Sequence, residues 1–94
     1  MIPGPASHVD IAGDGVVKAS SGQLVAVALT PAAALSTLIL YNNPSAASGT
    51  VLIKLQAVAN GGSVVFEPAV PYVFANGCYA DIDGAGANAT VVYL

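Results

Sequence analysis

The sequence predicts an all-β domain of about eight short antiparallel strands, folded as a sandwich or jelly-roll-like barrel behind an extended N-terminal arm. Three observations predict it. Short apolar runs alternate with turn residues at near-even spacing from Gly15 onward. Gly, Pro and β-branched residues interrupt every window long enough for a helix. The 94 residues suffice for one domain with one modest core.

Residues 1–14 form the expected arm, because Pro3, Gly4 and Pro5 disfavour regular structure. The domain then occupies residues 15–94. Val16–Ala19 is a first run, closed by Ser20, Ser21 and Gly22. Gln23–Thr30 is a second, closed by Pro31. At most one helical turn fits between Pro31 and Leu35. Ser36–Tyr41 is a third run, ended by Asn42, Asn43, Pro44 and Ser45. Thr50–Ala59 is the longest, ended by Asn60, Gly61 and Gly62. Ser63–Glu67 and Tyr72–Phe74 follow, separated by Pro68 to Pro71. Asn76 and Gly77 carry a hairpin signal. Cys78–Asp83 and Ala89–Leu94 complete the series around Gly84, Ala85 and Gly86.

Charge is scarce. Lys, Arg, Asp and Glu make up 7% of the chain, against about 25% in an ordinary soluble domain. There is no Arg, and Lys18 and Lys54 are the only lysines. With a net charge of −3 the chain has no basic stripe to hold phosphates, so no nucleic-acid partner is expected. Hydrophobic residues are 55% of the total. Obligate interfaces resemble a core cut in half, so a chain this apolar is expected to be covered by other protein. The other reading is a neutral surface coated with Ser, Thr and Asn.

Side-chain alternation locates the surplus. In Thr50–Ala59, Val51, Ile53, Leu55 and Ala57 form a core face, opposite Leu52, Lys54, Gln56 and Val58. In Gln23–Thr30 both faces are apolar, with Leu24, Ala26 and Ala28 against Val25, Val27 and Leu29. In Ser36–Tyr41, Leu38 and Leu40 oppose Ile39 and Tyr41. A two-layer sandwich buries one face of each sheet. Leu24, Val25, Val27, Leu29, Leu38, Ile39, Leu40 and Tyr41 are therefore the candidate interface residues.

Within the uncharged stretch from Ala19 to Ile53, Leu24 to Tyr41 approaches the length of a membrane span, but Pro31 divides it into strand-length halves and its flanks show neither a Lys/Arg bias nor an aromatic belt. No membrane association is expected. The N-terminus lacks the basic region and apolar core of a secretory signal.

Catalytic chemistry is thinly represented, and no cofactor is expected. His8 is the only histidine and Cys78 the only cysteine, too few for a triad or a zinc site. Cys78 lies in a strand-like run and reads as a buried, inert thiol. Asp81 and Asp83 share a strand face and, with Asp10 or Asp14, form the one set able to hold a hard cation; a solvated strand end is the plainer reading. Asn88-Ala89-Thr90 matches a glycosylation sequon by pattern alone. Gly84-Ala85-Gly86 lacks the Lys and helix of a phosphate loop. The four tyrosines and two phenylalanines suit a core and cross-strand pairs better than a stacking surface.

Four segments carry a resemblance: Leu40-Tyr41-Asn42-Asn43, Ala46-Ala47-Ser48-Gly49-Thr50-Val51-Leu52, Phe74-Ala75-Asn76-Gly77-Cys78-Tyr79 and Ala89-Thr90-Val91-Val92-Tyr93. Over about Gly15 to Leu94 the chain resembles small virion proteins of tailed bacteriophages. It departs from their pattern at Asn43, where an acid is usual nearby, and at Cys78, where an aliphatic is usual. The resemblance implies a β-sandwich on the particle, a capsid decoration or cement protein made in the host cytoplasm. Its implied partners are copies of itself, for instance as a trimer, and a major capsid protein. It carries over no catalytic residue. A tail, fibre or head–tail adaptor component is the alternative within the particle. A carbohydrate- or receptor-binding module, which would gather exposed tyrosines and carboxylates in one loop cluster, is the alternative outside that class. An enzyme would need a pocket of converging polar groups.

Overall fold

The structure, a computed structural model, describes residues 7–94. Nine strands follow one another: β1 (Ser7–Ile11), β2 (Gly15–Lys18), β3 (Gly22–Thr30), β4 (Ser36–Tyr41), β5 (Val51–Ala57), β6 (Val64–Phe66), β7 (Tyr72–Phe74), β8 (Cys78–Asp83) and β9 (Asn88–Tyr93). They form two antiparallel sheets packed together. The five-stranded sheet runs β1-β9-β3-β6, with β7 also on β3, and the four-stranded sheet runs β2-β8-β4-β5. No helix occurs among the described residues, so none there is long and apolar enough to cross a membrane. Residues 31–35 make an irregular bend in place of a helical turn.

The strand expected to be absent is β1. Residues 7–11 of the expected arm pair in register with β9, Ser7 opposite Tyr93 through Ile11 opposite Ala89. Ile11 is buried and Val9 packs against the core. An alternating run of this length gains a ladder and an apolar face together, which an unpaired arm cannot. Residues 1–6 of that arm lie outside the described residues.

The core lies between the sheets. Leu24, Val27, Leu29 and Val91 come from one, Leu38, Leu40 and Ala80 from the other, and Phe74 closes one end. Two strands depart from simple alternation. In β3 the pairing with β9 shifts between Leu24 and Ala26, so Val25 is an extra residue. A one-residue bulge exchanges the faces beyond it. Leu24, Val27 and Leu29 therefore share the inner side, which corrects the grouping of Leu24 with Ala26 and Ala28. In β5 a similar shift opposite Leu40 and Tyr41 leaves Val51 exposed, a correction to its expected place on the core face. That strand also stops at Ala57, where Gly61 N–H bonds back to the Val58 carbonyl at 3.0 Å and Asn60 adopts a φ of 56°.

Among the described residues only β4–β5 is a hairpin within a sheet. Asn76 and Gly77, expected to close a hairpin, instead carry the chain from β7 in one sheet to β8 in the other. Gly77 has a φ of +150°, and a Cβ there would lie 2.7 Å from Pro44 Cα and 2.9 Å from the Lys18 carbonyl oxygen. The backbone of the β4–β5 loop comes too close for any side chain. Beside it, Asn76 N–H donates to Asn42 Oδ1 at 2.9 Å. The segments Leu40–Asn43 and Phe74–Tyr79 thus meet in a structural clamp.

Candidate functional site

Residues opposite one another in an antiparallel pair share a face. On the outer face of the four-stranded sheet this builds three rows. The first is Val16 (β2), Tyr79 (β8), Tyr41 (β4) and Val51 (β5). The second is Asp81, Ile39 and Lys54, and the third is Asp83, Thr37 and Gln56. Asp14 precedes β2 beside Asp81, and its Oδ1 accepts the Ile82 N–H at 2.9 Å. An aromatic and aliphatic end thus grades into an acidic end, with Lys54 as the one cation in these rows.

Desolvation on the sheet raises the Asp81 carboxyl above the ordinary value of 3.8, and the charges of Asp14 and Asp83 act in the same direction. Asp10 does not join them. It lies on the other sheet, where Thr90 Oγ1 donates to its Oδ1 at 2.7 Å. Among the described residues no three His, Cys, Asp or Glu side chains are placed to hold a metal ion, and no pocket opens.

The outer face of the five-stranded sheet is different. Its rows are His8, Val92 and Ala26, then Asp10, Thr90, Ala28 and Val65. Its residues are mostly small. Its large apolar groups stand at the edge, where Val65 on β6 and Val73 on β7 are exposed opposite Ala28 and Gln23. Phe66 and Tyr72, opposite Val27 and Leu24 and so on the inner side of that edge, meet edge-to-face with ring centroids 5.4 Å apart.

The expected interface residues divide accordingly. Leu24, Val27, Leu29, Leu38 and Leu40 are 0–1% exposed in the protein's own core. Their apolar surface is already removed from water, so as interface groups they are corrected. Val25, Ile39 and Tyr41 remain partly exposed on outer faces. Tyr79, Val16 and Lys54 complete the patch around Ile39 and Tyr41. Alternation along Cys78–Asp83 already places Tyr79 with Asp81 and Asp83. Which strands flank β4, however, is a matter of long-range pairing that no local pattern encodes.

Of the remaining candidates, His8 is exposed on β1 and Asn88 is exposed at the start of β9. Cys78 is fully buried, and burial pushes its thiol up to about 11, which leaves almost no nucleophilic thiolate near neutral pH. Phe74 is a core aromatic, whereas Tyr41 and Tyr79 form a cross-strand pair on the outside. The tyrosines and carboxylates of the four-stranded sheet share a sheet face, not a loop cluster.

No protein-family model matches this chain, and neither does any curated protein or solved structure.

Proposed function

We propose that this chain is a structural virion protein of a tailed bacteriophage, a decoration protein that docks on the capsid and adds buried contact area across the shell. The observation that carries the reading is an exterior short of charge and rich in large apolar groups. Val16, Val51, Val58, Val65, Val70 and Val73 are all exposed on a chain with two lysines and no arginine. An exterior of this kind is stabilised by being covered. The four sequence segments quoted above supply the particle; composition alone supplies only an assembly.

The test uses purified, undecorated heads of the phage that encodes the chain. The isolated protein should co-sediment with those heads in a saturable ratio and raise the temperature at which they open. A well-behaved protein that ignores heads at micromolar concentration overturns the decoration reading. Recovery with purified tails alone would replace it with a tail or adaptor role.

A further inference from the structure

We propose that the outer face of the four-stranded sheet is self-complementary, and that a second copy of this chain docks on it face to face about a two-fold axis running along β4. The argument rests on the row Asp81, Ile39, Lys54. Ile39 lies on β4, with Asp81 directly opposite it on β8 and Lys54 directly opposite it on β5. Neighbouring strands are about 4.8 Å apart, so an acid and a base stand at nearly equal distances on either side of an isoleucine.

Two copies of a sheet face can meet about a two-fold axis in the plane between them. An axis along β4 exchanges left and right. It sets Asp81 of each copy over Lys54 of the other and Ile39 over Ile39. In the same operation Tyr41 meets Tyr41, Tyr79 meets Val51, and Asp83 meets Gln56. An axis across the strands keeps left and right, and sets Asp81 over Asp81 and Lys54 over Lys54. Like charges brought together in this way oppose association. The charge pattern therefore selects one of the two arrangements. Strands related by the selected axis run nearly aligned, within the roughly 30° usual for packed sheets.

The dimensions suit a modest dimer. The molecule measures 37 × 29 × 18 Å, and its thin direction is that of two sheets stacked about 10 Å apart. One broad face is comparable with the roughly 800 Å² per partner of a standard interface. Lys54 of the second copy also brings a cation to Asp81, which Asp14 and Asp83 now crowd with negative charge. The pairing shares with the proposed function only the premise that the outer faces are covered, and it stands whatever particle the chain belongs to.

Charge reversal tests it without any capsid, so its failure is separate from a failure to bind heads. The probes are the full chain and its Lys54→Asp and Asp81→Lys variants, read by sedimentation velocity. The unaltered chain should reach a dimer at micromolar to high-micromolar concentration. Each variant alone faces like charge in both contacts and should dimerise at least about tenfold more weakly. An equimolar mixture of the two variants restores both opposite-charge contacts and should recover the dimer. A mixture that stays monomeric, single variants that dimerise as well as the parent, or a parent still monomeric near millimolar concentration each overturns the proposal. Lys54 is exposed, so the neutral variant Lys54→Gln should leave the strand intact, and a weakened dimer there reads the same contact should a reversed charge disturb folding.

Discussion

β3 and β4 are inner strands of their respective sheets, and both are apolar on two sides, yet they use their outer sides differently. β3 turns Ala26 and Ala28 outward, with Val25 set aside in a bulge. These are small groups on a plain, nearly neutral surface. β4 turns out Ile39 and Tyr41, large groups framed by Tyr79, Asp81 and Lys54. An apolar outer side therefore does not by itself mark an interface. Alanine in a strand leaves little area to cover, whereas Ile and Tyr leave area that removal from water would stabilise by about 25 cal/mol per Å². The difference moves the expected contact surface from two strands to one.

The largest effect should separate the two sides of β4 itself. Leu38 is fully buried between the sheets, and Leu38→Ala should cost about 2–5 kcal/mol. In a domain whose whole stability is on the order of 5–15 kcal/mol, that is a large share. Ile39→Thr keeps the β-branched shape and should cost under about 1 kcal/mol, but it should weaken self-association. Urea midpoints and sedimentation on the same two variants read the contrast. Equal destabilisation by both would erase the distinction between inner and outer sides.

A second, smaller effect compares sheet with clamp. Gly77→Ala puts a Cβ against Pro44 at a φ of +150°. Strain at such a position costs about 1–3 kcal/mol. The urea midpoint should fall, and Asn76 and Asn42 amides should exchange faster, with little change in amide protection along β3. An unchanged midpoint would mean that the β4–β5 loop yields freely.

The smallest effect concerns Asp81. Its carboxyl binds a proton more tightly in the folded chain than in the unfolded one. Its stabilising contribution is thus complete below the ordinary value of 3.8 and is lost as pH rises through the raised folded value. Asp81→Asn should remove that loss. At concentrations where the protein is monomeric, the variant should be slightly more stable than the parent near neutral pH, and its stability should change less on acidification. Desolvation sets the sign first, and the charges of Asp14 and Asp83 act in the same direction. A variant less stable than the parent at neutral pH would mean that Asp81 already has a cationic partner within the monomer.

Most of the strand plan was legible in the order of residues. Ser36–Tyr41, Tyr72–Phe74 and Cys78–Asp83 coincide with β4, β7 and β8, because each is an apolar run bounded by Pro, Gly or Asn, and those boundaries act locally. The hairpin expected at Asn76 and Gly77 was not legible. The dipeptide specifies a turn, but the pairing of β7 with β3 and of β8 with β4 decides what the turn joins. β1 was not legible for the same kind of reason. His8, Val9, Asp10 and Ile11 alternate over too few residues to stand out, and only β9 gives them a partner.

The candidate surface divides along the same line. From sequence alone, the chain carries 7% charged residues, its inner strands are apolar on both sides, and its lone Cys and His are too few for a triad or a zinc site. These follow from composition and from the two-residue period of a strand. The tertiary structure alone decided that Val25 is bulged aside, that Leu38 and Leu40 belong to the core, and that Ile39 stands between Asp81 and Lys54. Strand order and register are set by contacts between residues far apart in the chain, and a shift of one residue exchanges the two faces of a strand.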